Sequence, residues 1–361
     1  MAWRIAAMEN WLLYENGSRL MKNMSLRMAL CAMSVAMLMA SCTSSAPDVR
    51  ESRFIMGTLV QFTIADADKD TALDAIRMAA DEMQRIENVF TIYGDASNAV
   101  KAFNASPPGS SVALPEEVAQ VLQTAQQVAS RSKGAFTPGI GALSLLWGFS
   151  LPDAPLQPPD ELAIVRALRG VDSSLIVFDG KAWKRLHTET KLDFGGIAKG
   201  YAIDRGIDVL REHGIKNAIV DAGGDLRAIG SHSGKPWRIG IRHPRQEGKT
   251  LGWLEVHGDI SIVTSGDYER SFTYQGKRYH HILDPETGHP ARRSISATVI
   301  AKNATLADAW STALFVQGSS LLPELGRRGI QGIVVDADQK LHTGKVALVP
   351  FHSADGEGSG H

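Results

Sequence analysis

The sequence predicts an α+β fold: a mixed, largely antiparallel sheet with flanking helices. Most consecutive strand-like runs lie at hairpin spacing, helical patterns interrupt them irregularly, and no internal repeat is present. A doubly wound parallel sheet would instead need a crossover between successive strands. The chain has 361 residues, 44% hydrophobic, and a formal net charge of −1, which suits one or two domains with a sizeable core. Balanced charge gives no support for a nucleic-acid partner.

The N-terminus reads as targeting. Residues 1–20 fit no signal and are expected to be an upstream start, with Met21 or Met24 beginning the precursor. Met21-Lys-Asn-Met-Ser-Leu-Arg27 is a basic n-region, and Met28 to Met39 is an apolar run too short to span a bilayer. Ala40 and Ser41 before Cys42 look like a lipobox, with an ordinary secretory signal as the alternative. The expected organisation is a signal over 21–41, a tether over 42–52 starting at lipidated Cys42, a folded domain over 53–351 and a disordered tail over 352–361. Cys31 lies inside the signal, so no disulfide is expected after cleavage. The expected location is the periplasm, lipid-anchored to a membrane, with the inner membrane the first choice.

Within the body, Phe54 to Ile64 alternates apolar and polar residues after Gly57 and reads as a strand. Thr71 to Phe90 places Leu73, Ile76, Met83, Ile86 and Val89 at helical spacing. Pro115 to Ser132 is a second amphipathic helix, and Pro152 to Leu168 contains a shorter third. Leu175–Val177 and Ala182–Leu186 flank Asp179-Gly180, a hairpin-turn dipeptide. A helix after Gly196 carries Ile203, Ile207 and Leu210 on one face and stops at Gly214. Strand-like runs follow at Asn217–Val220, Trp237–Ile241, Leu251–Val256, Ser261–Val263 and Ser294–Ala301. A helix around Asp308 and short strands between Ile333 and Ala347 complete the body.

Two segments carry chemistry. In Asp193-Phe-Gly-Gly-Ile-Ala-Lys-Gly-Tyr-Ala-Ile-Asp204, Gly195 and Gly196 allow close backbone approach, and the following helix start suits a phosphate. A tight strand-to-helix turn is the plainer alternative. In Thr305-Leu-Ala-Asp-Ala-Trp-Ser-Thr-Ala-Leu-Phe315, Asp308 and Thr312 share a helix face and are hard oxygen donors of the kind Mg²⁺ takes. Thr305 and Asp308 equally resemble a capping box.

Together with Ile219-Val-Asp-Ala-Gly-Gly-Asp225, Thr264-Ser-Gly-Asp-Tyr268 and His281-Ile-Leu-Asp-Pro-Glu-Thr-Gly288, these segments resemble the FAD:protein FMN transferase (ApbE) family from about Phe54 to about Phe351. The resemblance implies that FAD binds as a substrate, with Mg²⁺ on its pyrophosphate. It implies Gly196 (by its backbone carbonyl), Asp308 and Thr312 as metal ligands. Met56, Tyr93, Ala135, Phe136, Thr137, Asp193, Lys199 and Leu283 become flavin-nucleotide contacts. His281 is the implied base, with Asp284 beside it in the catalytic pair; a structural His held by Asp284 is the alternative. The family commonly has Asp where this chain has Thr137 and Thr where it has Gly139, so a carboxylate role there is in doubt. The implied reaction moves FMN from FAD to a Thr or Ser hydroxyl of a flavoprotein subunit of a membrane redox complex, releasing AMP. An FAD pyrophosphatase and a non-catalytic FAD-binding lipoprotein are the alternatives.

Overall fold

A computed structural model describes residues 47–354, apart from 152, 154 and 155. The expected signal, Cys42 and the residues after 354 lie outside the described residues. The first strands, β1 (Val49–Ile55) and β2 (Thr58–Ile64), fold back through Met56 and Gly57, whose φ angles of 56° and 68° suit a two-residue hairpin turn. Next comes α1 (Lys69–Phe90), whose N-cap Asp68 accepts the Thr71 N–H and whose inner face buries Ile76, Met83, Ile86 and Phe90. The following elements are α2 (Ala99–Ala105), α3 (Glu116–Arg131), α4 (Gly141–Trp147) and α5 (Glu161–Leu168). A small hairpin of β3 (Ile176–Phe178) and β4 (Trp183–Arg185) leads to α6 (Ala198–Glu212).

The chain then runs through β5 (Ala218–Ala222), β6 (Asp225–Ile229), β7 (Trp237–Arg242), β8 (Thr250–Val256), β9 (Ile260–Gly266), β10 (Ser271–Tyr274), β11 (Lys277–His280) and β12 (Ser294–Ala301). It ends with α7 (Ala304–Gln317), α8 (Leu322–Arg327), β13 (Gln331–Asp336), β14 (Leu341–Thr343) and β15 (Phe351–Ser353). Eight strands form the main sheet in the order β1-β2-β5-β6-β9-β12-β13-β14, every neighbour antiparallel, as expected.

The central strands are covered on both faces. On one, Phe62, Val220, Ala297 and Val299 pack with Met83 of α1, Ile203 and Ile207 of α6 and Leu314 of α7. On the other, Leu226, Ile262, Ile300 and Ile333 meet Trp237, Ile239 and Ile241 of β7 and Leu254 and Val256 of β8. The small sheet β15-β8-β7 is therefore a second layer that removes this face from water. Its strand β7 alternates buried and exposed residues, whereas β12 is buried throughout.

Several boundaries differ from expectation. The folded body begins by Val49 rather than at residue 53, because residues 49–52 pair with β2 as an edge strand; polar Arg50, Glu51, Ser52 and Arg53 hide it in the sequence. The expected tail starts too early, because His352 and Ser353 pair with Trp253 and Gly252. The shorter helix expected within Pro152 to Leu168 does form there, over Glu161–Leu168, capped by Asp160 after Pro158 and Pro159. The short helices α2 and α4 and the hairpin β10–β11 carried too little periodicity to be expected.

Three features gather at one end of the main sheet: the β1–β2 turn, the Gly223-Gly224 turn between β5 and β6, and the C-terminal end of β9. Gly223 passes so close to β2 that a Cβ there would sit 2.3 Å from Thr58 Oγ1, and its φ of 67° independently favours glycine.

Candidate active site

Helices α6 and α7 bring the two informative segments together. A Cβ at position 200 would lie 2.1 Å from the Ala304 carbonyl oxygen, so only glycine permits this crossing. The Gly200 N–H donates to Asp308 Oδ2 at 2.9 Å. One turn further, Asp204 accepts from the Ala304 N–H (2.9 Å), the Thr305 N–H (2.9 Å), the Thr305 hydroxyl (2.6 Å) and Arg227 Nη1 (2.7 Å). The start of α7 is thus capped from α6 and by its own Asn303, which accepts the Leu306 N–H. This corrects the capping-box alternative: Thr305 bonds Asp204, and Asp308 bonds Gly200. The Gly200 N–H near the start of α6 is thus taken by Asp308 and is not free for a phosphate.

Asp308 and Thr312 line a cleft of about 800 Å³, within the usual range for small-molecule sites. Gly196 faces them, and a Cβ there would approach Thr312 Oγ1 to 3.0 Å and the Phe136 ring to 3.2 Å. The structure therefore gathers all three implied metal ligands. Burial, reinforced by Asp225, pushes the Asp308 carboxyl up to about 7, although Lys199 and the Gly200 N–H oppose the shift. Among the described residues, no group of three or more His, Cys, Asp or Glu side chains could hold a metal ion. One carboxylate, one hydroxyl and a backbone carbonyl instead form the partial oxygen set expected where substrate phosphates supply the rest.

Lys199 is part-buried, its side chain 29% exposed, and is ion-paired rather than free on the helix face. Its ammonium lies 2.5 Å from Asp225 Oδ2, whose side chain is only 3% exposed. Burial favours the neutral amine, but Asp225 and Asp308 outweigh it and hold Lys199 charged. Asp225 also accepts the Thr264 N–H at 2.9 Å, tying β6 to β9 beside the cleft. Asp221 caps its turn through the Gly224 N–H at 2.7 Å. The two carboxylates of that motif therefore have different work.

His281 lines the cleft, held by its N–H to the Arg270 carbonyl oxygen at 3.1 Å. Its Nδ1 is buried without a hydrogen-bond partner. Burial, then the charges of Arg270, His280 and Lys199, depress its pKa to about 3, so the ring is neutral at physiological pH. His280 is structural: Nε2 pairs with the Ala291 carbonyl at 2.8 Å and burial holds its pKa near 4. The expected His281–Asp284 pair is corrected. Asp284 accepts the Glu286 N–H at 2.9 Å, closing a turn, and lines a neighbouring cavity. Leu283 remains on the cleft wall.

The other implied contacts also meet here. Met56 lines the cleft, its N–H donated to Glu87 at 2.9 Å. Tyr93 lines it too; burial and the Asp193 charge raise its hydroxyl pKa. Ala135, Phe136 and Thr137 form an adjoining wall. The Thr137 hydroxyl donates to the Val171 carbonyl at 2.7 Å and accepts the Gly139 N–H at 3.1 Å, so it closes a loop. A Cβ at Gly139 would lie 2.8 Å from the same carbonyl, so position 139 has no room for a side chain. Asp193 turns one oxygen to the Gly195 N–H at 2.8 Å and remains at the cleft.

Arg270 and Glu87 also line the cleft and were not anticipated. Glu87 looked like one more charge on an amphipathic helix. Arg270 sits just outside a recognised motif, two residues after Tyr268.

Residues 56–334 match the ApbE family. A protein of Rhodobacter capsulatus named FAD:protein FMN transferase is 30% identical over 295 residues, covering 81% of this chain and 56% of that protein. The chain thus spans little more than half the length of that relative. A Treponema pallidum protein of the same name is 32% identical, covering 73% of this chain and 80% of the relative. The crystal structure of an ApbE protein from Thermotoga maritima superposes with a TM-score of 0.77 at 34% identity, covering 83% of this chain and 97% of that one.

Proposed function

The chain belongs to the ApbE family, and on that premise we propose that it is an FAD:protein FMN transferase. The observation that carries this reading is the convergence of Gly196, Asp308, Thr312 and His281 in one cleft with Lys199 and Arg270. The reaction forms a bond between an acceptor Thr or Ser oxygen and the FMN-side phosphorus of FAD. The phosphorus–oxygen bond to the AMP half breaks, AMP leaves with that electron pair, and the hydroxyl proton passes to a base.

The donor set fits Mg²⁺: a buried carboxyl near neutrality gains an ionic partner, and Gly196 leaves space beside Thr312 Oγ1. Bound there by Gly196, Asp308 and Thr312, Mg²⁺ would supply charge neutralisation on the pyrophosphate. Lys199 and Arg270 add fixed positive charge along the same wall. His281, whose Nδ1 has no partner in the protein, takes the hydroxyl proton; burial and the nearby positive charges weaken it as a base, and a bound pyrophosphate offsets those charges. The mixed wall of Met56, Tyr93, Phe136 and Leu283 suits an aromatic ring system with a polar rim.

The proposed acceptors are flavoprotein subunits of membrane redox complexes. The proposed location is the periplasmic face of a membrane, held by a lipid on Cys42. Cys42→Ser should release the protein from the membrane fraction; retention would refute the anchor.

The deciding experiment incubates the protein with FAD, Mg²⁺ and an acceptor domain carrying one reactive Thr. An FMN-sized gain in acceptor mass with matching AMP supports the transferase. AMP and free FMN without labelling indicate a pyrophosphatase, and tight FAD binding without AMP indicates a binding protein.

A further inference from the structure

A second cavity, of about 470 Å³, adjoins the cleft. Ala135, Thr137 and Pro285 line both spaces and mark where they join. The junction lies at the reacting end. Phe136, between Ala135 and Thr137, packs against Gly196, and Pro285 follows four residues after His281. Helix α7 makes the continuity concrete. Asp308 and Thr312 face the cleft, and Val316, next on the same stripe, lines the second cavity. One helical turn, about 5.4 Å along the axis, separates Thr312 from Val316.

The character of this cavity differs from the cleft. Its wall presents side chains of Ser130, Ser173, Lys133, Arg293 and Glu286, without an aromatic ring. Asp172 and Asp284 are already committed to turn N–H groups, those of Ser174 and Glu286. Gln317 also lines it, and its Oε1 is buried with no hydrogen-bond partner, an acceptor awaiting a donor. A cavity walled by hydroxyls, charged side chains and a residue with an unpartnered amide oxygen fits a polypeptide better than a flavin ring, because a peptide brings an N–H at nearly every residue.

We infer that this second cavity receives the segment of the acceptor protein that carries the hydroxyl. The inference rests on the transferase reading. The segment enters past Ser130, pairs a backbone N–H with Gln317 Oε1, and delivers its Thr or Ser across the Ala135–Pro285 junction to His281.

Two variants test it with the full body, FAD, Mg²⁺ and the acceptor domain. Ser130→Trp obstructs the cavity from an exposed position, and Gln317→Leu removes the unpartnered acceptor while leaving no donor unpaired. The expected result is a rise in acceptor KM of about tenfold for Ser130→Trp and about threefold for Gln317→Leu, with kcat at saturating acceptor and FAD Kd unchanged. An unchanged acceptor KM in both overturns the inference. So does a matching loss of FAD affinity, which would make the cavity part of the nucleotide site. A wild-type protein that binds FAD yet never labels the acceptor sinks the transferase reading itself. Labelling by wild type with unaltered KM in both variants sinks only the second site.

Discussion

Helices α6 and α7 meet at two levels, one turn apart, and the levels behave differently. At the outer level, Asp204 holds two backbone N–H groups, a hydroxyl and a guanidinium. Arg227 is further anchored to Asp259 at 2.8 Å. At the inner level, Asp308 is just as deeply placed, 4% exposed, yet accepts one N–H, from Gly200. The saturated carboxylate is architecture. The undersatisfied one is poised for a ligand, because a buried charge with one partner is stabilised by whatever cation arrives.

Breaking the inner level should have the largest effect. Asp308→Ala should lower kcat/KM for FMN transfer by about a thousandfold or more, some 4 kcal/mol of transition-state stabilisation, with the far-ultraviolet spectrum retained. Activity near wild type would remove Asp308 from the site. Breaking the outer level should invert the pattern. Asp204→Ala strands Arg227 and the first N–H groups of α7, and should cost about 3 kcal/mol in chemical denaturation. A stable variant would show that the cap is dispensable.

His281→Ala should slow transfer about a hundredfold at saturating FAD and leave FAD Kd unchanged, read by single-turnover kinetics and fluorescence titration. An unaltered rate would make His281 structural. The subtlest test uses pH. The Asp308 carboxyl moves from 3.8 to about 7 on folding, so between those values the folded chain holds a proton that the unfolded chain has released. Stability of the metal-free protein should therefore fall as pH rises from about 4 to about 7. Excess Mg²⁺ should flatten that slope, and Asp308→Asn should abolish it, measured as Tm in EDTA. An identical slope in Asp308→Asn would assign the titration elsewhere.

Much of the fold was legible because its cause is local. Alternation along Trp237–Ile241, helical spacing from Thr71 to Phe90, and the Asp179-Gly180 turn each reflect one face meeting a core. The edge strand at Val49–Ser52 was hidden because its side chains are mostly polar and its pairing is purely backbone. The candidate site was legible as motifs, since Gly196, Asp308, Thr312 and His281 all reach one cleft. Asp284 illustrates the limit: three residues from His281, it caps its own loop through the Glu286 N–H.

The sequence by itself determined the fold class, the hairpins, the main helices and the residue types available for phosphate and metal chemistry, because spacing and residue identity act over a few positions. Tertiary structure alone decided which carboxylates are saturated and which remain open. It sent Asp204 to the start of α7, Lys199 to Asp225 and Asp284 to the N–H of its own turn. It also set a second, polar cavity against the cleft. Those outcomes depend on how distant segments cross and on how far each group is removed from water, and neither quantity is carried by local order along the chain.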